Sequence, residues 1–106
     1  MAEFKLAVNV EYLKPGEIVK VDIGSTPVLV GNVDGEFYAL SNICPHSVRP
    51  ILEHKSSMKD NQVKCPHHGS IFDMATGDLV RGLATECLTK YPVHVEGNRV
   101  LVEVGE

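Results

Sequence analysis

An all-β fold, a small antiparallel sandwich or barrel, is what this sequence predicts, on three observations. Short runs of β-branched and apolar residues recur, turn signals separate them at intervals of about 8 to 12 residues, and no stretch holds a helical period long enough to specify a helix. In chain order the strands are EIVKVDI (17–23), PVLVGNV (27–33), EFYALS (36–41), QVKC (62–65), SIFD (70–73), YPVHVE (91–96) and RVLVEV (99–104). Lys14-Pro15-Gly16, Asp34-Gly35, Thr76-Gly77-Asp78 and Gly97-Asn98 are the turns, and Asp34-Gly35 between two strands predicts a tight hairpin. One segment departs from this rhythm. Residues 42–61, NICPHSVRPILEHKSSMKDN, are long and irregular for a connection within a tight β domain, which marks a functional loop.

The 106 residues suit one domain, 1–106, with a modest core. A hydrophobic fraction of 43% and a charged fraction of 23% are ordinary for a globular protein, and no apolar run reaches the length of a membrane span. A soluble, cytoplasmic protein with no membrane association is expected. Three cysteines are too few, and odd in number, for a disulfide framework, so they point to metal binding or catalysis. The net charge of −4 disfavours nucleic acid as a partner. It is unevenly spread: residues 46–64 carry Arg49, Lys55, Lys59 and Lys64 against Glu53 and Asp60, whereas acidic groups outnumber basic ones on either side. That basic stretch is read as a solvated loop or a docking surface.

Within the long loop and directly after it come CPH (44–46) and CPHH (65–68). Each loop offers one thiol and at least one imidazole, and neither alone would hold a metal. The order Cys, His, Cys, His in β context is unlike a C-x2-C zinc knuckle or a finger whose histidines sit on a helix. A papain-like nucleophile would need a cysteine at a helix start, and no such helix is predicted. A two-iron cluster explains the alternation better: with both thiolates on one iron and both imidazoles on the other, each loop touches both metals.

The pattern Cys44-x-His46, eighteen intervening residues, then Cys65-x-x-His68 followed by Gly69 resembles the Rieske motif. SIFDMATGDLVRG, PGEIVKVDI, VGNVDGEFYALSNICPH and YPVHVEGNRVLVEV are similar to the framework of Rieske ferredoxins, so the resemblance covers nearly the whole chain. It implies the Rieske fold, with a two-loop cluster-binding subdomain (about 42–61 and 65–70) and one [2Fe-2S] cluster per chain. The implied ligands are Cys44 and Cys65 on one iron, His46 and His68 on the other. Spacing alone leaves His67 open as a ligand; the resemblance selects His68, and Gly69, which permits a tight turn, agrees with it. Ser70 is the implied hydrogen-bonding neighbour of the cluster. High-potential respiratory relatives have a disulfide between the loops, where this chain has Arg49 and His67, and a Tyr where it has Phe72. A low to intermediate potential within the Rieske range of about −150 to +300 mV is therefore expected. Arg81-Gly82-Leu83-Ala84 replaces the Gly-Pro segment that covers the cluster in the family.

Cys87 is read as a small buried hydrophobe, and His54 and His94 as surface residues. The resemblance implies an electron carrier, not an enzyme. It would take electrons from a flavin-dependent reductase and pass them to a terminal oxygenase of a ring-hydroxylating system, or to a similar acceptor. Two alternatives use the same four ligands: a zinc-stapled structural or adaptor module, and a redox-sensing regulatory subunit.

Overall fold

The computed structural model describes residues 4–43, 51–52, 54–65, 69–82 and 88–104. Among them the elements run β1 (Phe4–Asn9), a 3-10 turn (Val10–Tyr12), β2 (Glu17–Ile23), β3 (Thr26–Val33), β4 (Glu36–Ser41), β5 (Ser56–Ser57) and β6 (Gln62–Lys64). β7 (Ile71–Asp73), β8 (Leu79–Arg81), β9 (Lys90–Tyr91), β10 (Val93–Glu96) and β11 (Arg99–Glu103) complete them. The strands form three antiparallel sheets: a central one ordered β5-β2-β3-β4-β9, an outer one ordered β1-β11-β10, and a small one ordered β6-β7-β8.

The centre of the fold is the run PVLVGNV. Val28, Leu29 and Val30 are all fully buried, as a continuous apolar run requires when a strand is covered on both faces. Successive side chains alternate between two cores. Val28 and Val30 pack with Val19, Ile23 and Ala39 against Val100 and Val102 of the outer sheet. Leu29, with Ile18 and Leu40, packs on the opposite side against Val63, Cys65, Phe72, Met74 and Leu88. The antiparallel sheets expected from the sequence are thus stacked in three layers, with the small sheet seated on the second face of the central one.

The turns behave as their residues dictate. Asp34 (φ 53°) and Gly35 (φ 97°) both lie in the left-handed region, the conformation of a two-residue hairpin whose twist matches that of its strands. Buried Asn32 braces it: its Oδ1 accepts from the Gly35 N–H at 2.8 Å and its Nδ2 donates to the Leu13 carbonyl at 2.9 Å.

Several elements differ from the sequence expectation, and β8 (Leu79–Arg81) is not among the strands expected. β1 was hidden by Glu3 and Lys5, and little of this edge strand is covered: Ala7 and Val8, at a bulge, are half-buried against the outer core, while Phe4 and Leu6 are 42% and 54% exposed. YPVHVE is two strands. Pro92, which cannot donate to a ladder, separates Lys90–Tyr91, paired with the central sheet, from Val93–Glu96, paired with the outer one. QVKC and SIFD stop short of Cys65 and Ser70, which close the turn between them. The long loop is also not irregular throughout, since β5 adds to the edge of β2. His94 is exposed as expected, its ring 5.9 Å from that of Phe4.

Gly31 explains how the layers meet. A Cβ there would lie 2.9 Å from both Cγ and Sδ of fully buried Met74, which reaches over from the turn after β7. Gly31→Ala is expected to cost roughly 1–3 kcal/mol by overpacking, read from denaturant unfolding; an unchanged midpoint would show that this contact is loose.

Candidate metal centre

The small sheet exists to present a turn. Lys64 pairs with Ile71, Val63 with Phe72 and Gln62 with Asp73. Val63 and Phe72 therefore share the face that enters the core, and the strands meet at Cys65 and Ser70. The Cys65 N–H donates to the Ser70 carbonyl at 2.8 Å, and the Gly69 N–H donates to the Cys65 carbonyl at 2.9 Å. Gly69 has φ +75°, which a residue with a Cβ adopts only under strain. Cys65 and Ser70 are both fully buried.

β8 continues alongside this turn. Ile71 is paired with Arg81, so Gly82 (φ +126°) falls beside Ser70 at the next step of the ladder, where a Cβ would lie 2.5 Å from Ser70 Cα and 2.6 Å from its Oγ. Glycine at 82 is what lets the two backbones come so close. Gly77 roots the same segment. Its N–H donates to the Asp73 carbonyl at 2.7 Å, and its own carbonyl accepts from the Leu88 N–H at 2.9 Å.

The first loop leaves the central sheet at Asn42 and rejoins described chain at Ile51. Asn42, 1% exposed, closes its neck. Its Oδ1 accepts from the N–H groups of Ile51 and Leu52 at 3.1 and 2.9 Å, and its Nδ2 donates to the Leu52 carbonyl at 2.9 Å. The Asn42 backbone contributes again, donating to the Pro27 carbonyl at 3.0 Å and accepting from Ile51 at 3.2 Å. Further on, Lys55 fastens the returning chain. Its Nζ donates to the Tyr12 carbonyl at 2.6 Å, lies 4.1 Å from the centre of the Tyr12 ring and pairs with Glu17 at 3.4 Å. The Lys14 backbone N–H, donating to the Glu17 carboxylate, and then Lys55 hold that carboxyl below its usual range.

Of the residues expected from the sequence, Cys65 and Ser70 lie in this turn, while Cys44, His46, His67, His68 and Cys87 fall outside the described residues. Among the described residues no three metal-ligating side chains converge. His54 is exposed. The donor chemistry at Cys65 fits a thiolate-bound metal: an ionised thiol wholly out of water costs several kcal/mol unless a cation balances it, and a bound metal does so while deprotonating the thiol outright. Asn42 and the role of Gly82 were not evident beforehand. An Asn two residues ahead of a cysteine carries no signal of its own, since the groups it satisfies lie nine and ten residues away.

Residues 3–92 match the family described as the Rieske [2Fe-2S] domain. The ferredoxin subunit of 3-phenylpropionate/cinnamic acid dioxygenase from Escherichia coli (strain K12) is 38% identical over 92 residues, 86% of this chain and 84% of that protein. Apoptosis-inducing factor 3 of Homo sapiens is 34% identical over 98 residues, which span 92% of this chain but 16% of that longer protein. Among solved structures, the Sphingomonas yanoikuyae B1 ferredoxin superposes with a TM-score of 0.84 at 28% identity, covering 97% of this chain and 100% of that one. A chain in the complex of reduced oxygenase and oxidized ferredoxin of carbazole 1,9a-dioxygenase superposes with a TM-score of 0.83 at 27% identity, covering 93% of this chain and 91% of that one.

Asn42→Ala would strip the loop neck of three hydrogen bonds and leave the Leu52 N–H and carbonyl without them. A loss of about 1–3 kcal/mol in unfolding free energy is expected, with hydrogen exchange at Leu52 accelerated beyond that of β11. Equal exchange at both places would show that Asn42 does not hold the neck.

Proposed function

The chain belongs to the Rieske [2Fe-2S] domain family, and from that membership we propose that it is a one-electron carrier serving an oxygenase system. In this reading residues 1–106 form a single Rieske domain in the cytoplasm. It delivers electrons to a terminal oxygenase, in line with the names of its ferredoxin relatives, and accepts them from a flavin-dependent reductase. It transforms no substrate of its own. One [2Fe-2S] cluster per chain supplies, when bound, a single reversible electron.

The residues proposed to hold that cluster are Cys44 and Cys65, as thiolates on one iron, and His46 and His68, as neutral imidazoles on the other. Two thiolates and two sulfides offset two ferric charges, so the oxidised site is neutral and binds little excess charge in the interior. Cys65 supports the reading most directly: a fully buried cysteine, closing a turn that needs a left-handed Gly69, is where a ligand thiolate belongs. Ser70 is proposed as the hydroxyl that tunes the site by hydrogen bonding toward sulfur. Its complete burial keeps water from competing for it.

Metal and sulfide analysis tests the proposal. The purified protein should be red-brown with two irons and two acid-labile sulfides per chain, and Cys65→Ser should lose both iron and colour. A colourless protein holding one zinc would replace the carrier with a structural module.

A further inference from the structure

The groove beside the candidate metal centre is built from the ends of two sheets. Among the described residues β5 is the last strand of the central sheet on one side and β6 the first of the small sheet. A tight turn joins them, with Lys59 bridged to Gln62 and Asp60 and Asn61 at φ 57° and 56°. Beyond it the two strands are drawn to different layers, β5 to β2 and β6 to β7. The space left between them is a cavity of about 410 Å³. Ile51 and Val63 line it as buried residues and Leu52, Met58 and Ile71 as half-buried ones, with Lys59 and Lys64 exposed at its rim.

The charge of this face opposes that of the molecule. Lys55 is committed to Tyr12 and Glu17. Lys59 and Lys64 make no ion pair with any described residue. Arg81, likewise exposed and unpaired among the described residues, lies across Ile71 from Lys64 on the same side of the small sheet. The nearby acids are Asp60 in the turn and Asp73, which accepts a hydrogen bond from the Thr76 hydroxyl at 2.9 Å. In a chain of net charge −4, an uncompensated cationic rim around an apolar groove is complementary to one kind of occupant. We propose that the groove docks an extended, acidic and apolar segment of the protein's electron-transfer partner, laid between β5 and β6 as an added strand. This rests on the electron-carrier reading and extends it. The groove ends at Lys64, one residue from Cys65, so a partner seated there is brought to the second loop.

The test uses holoprotein whose iron content and visible spectrum are recorded first; their absence would fail the carrier reading and this proposal with it, whereas a wrong salt response in the loaded protein fails this proposal alone. The reduced protein is oxidised by ferricyanide, a small trianion, in stopped flow at rising ionic strength. The rate should fall severalfold with salt, the sign of attraction to a cationic face. Lys59→Glu with Lys64→Glu should reverse that dependence, and Lys59→Glu alone, remote from Cys65, should weaken it if the double variant fails to hold iron. A capped peptide of alternating glutamate and leucine should slow the wild-type reaction at low salt and leave the Lys59→Glu protein less affected. A rate that rises with salt, as net charge alone dictates, a dependence untouched by Lys59→Glu, or a peptide without effect would each overturn the proposal.

Discussion

Burial of the central sheet on both faces is the constraint from which the remaining structure follows. With Val28, Leu29 and Val30 all inaccessible to water, the apolar side chains of β3 are divided between the two cores, Leu29 and Val33 to one and Val28 and Val30 to the other. A slip of one residue against β2 or β4 would exchange Leu29 for a valine on the small-sheet side and force Met74 against a side chain in place of Gly31. Register is therefore fixed by shape on both sides at once. Short hairpins at Gly24-Ser25 and Asp34-Gly35 permit no slack that would relieve an error.

The site inherits its position from this arrangement. Leu29 and Leu40 offer the surface on which Phe72, Met74 and Leu88 pack, and Cys65 is part of the same buried cluster. The turn bearing Cys65 is thus an extension of the core. The first loop springs from the end of β4, where the Ser41 N–H donates to the Thr89 carbonyl at 2.8 Å and Asn42 bonds to Pro27, Ile51 and Leu52. The first loop leaves the central sheet, and the turn bearing Cys65 belongs to the small sheet packed against it. This gives a physical basis for two short segments, separated in sequence by eighteen residues, to hold one cofactor in common: their bases are set by the protein's own packing, which lowers the entropy lost on ligation.

How much of this was legible in the sequence depended on the kind of interaction. β2, β3, β4 and β11 were readable because burial writes itself as apolar runs bounded by turn residues, and Asp34-Gly35 and Gly97-Asn98 fixed their ends. β1 was not, since four of its six residues are exposed and its pattern is diluted by Lys5. Pro92 was visible in the sequence but its meaning was not: only the sheet assignment shows that it marks the passage from one layer to the next. At the site, the Cys and His motifs in their framework carried the resemblance to the family to which the chain belongs. Asn42 was silent, because its role is to satisfy backbone groups of Ile51 and Leu52 whose proximity exists only after folding. The close approach of Gly82 to Ser70 belongs to the same class of tertiary fact.

The division of the molecule into two cores that share one sheet is tested most directly by hydrogen exchange in a pair of truncations, Leu40→Ala on the small-sheet side and Val30→Ala on the outer-sheet side. Each should be destabilising, by up to about 2–5 kcal/mol for the leucine. Leu40→Ala should accelerate exchange in residues 62–73 more than in 93–103, and Val30→Ala should do the reverse. Equal acceleration of both segments in both variants would contradict the separation of the cores and, with it, the seating of the turn that carries Cys65 on Leu29 and Leu40.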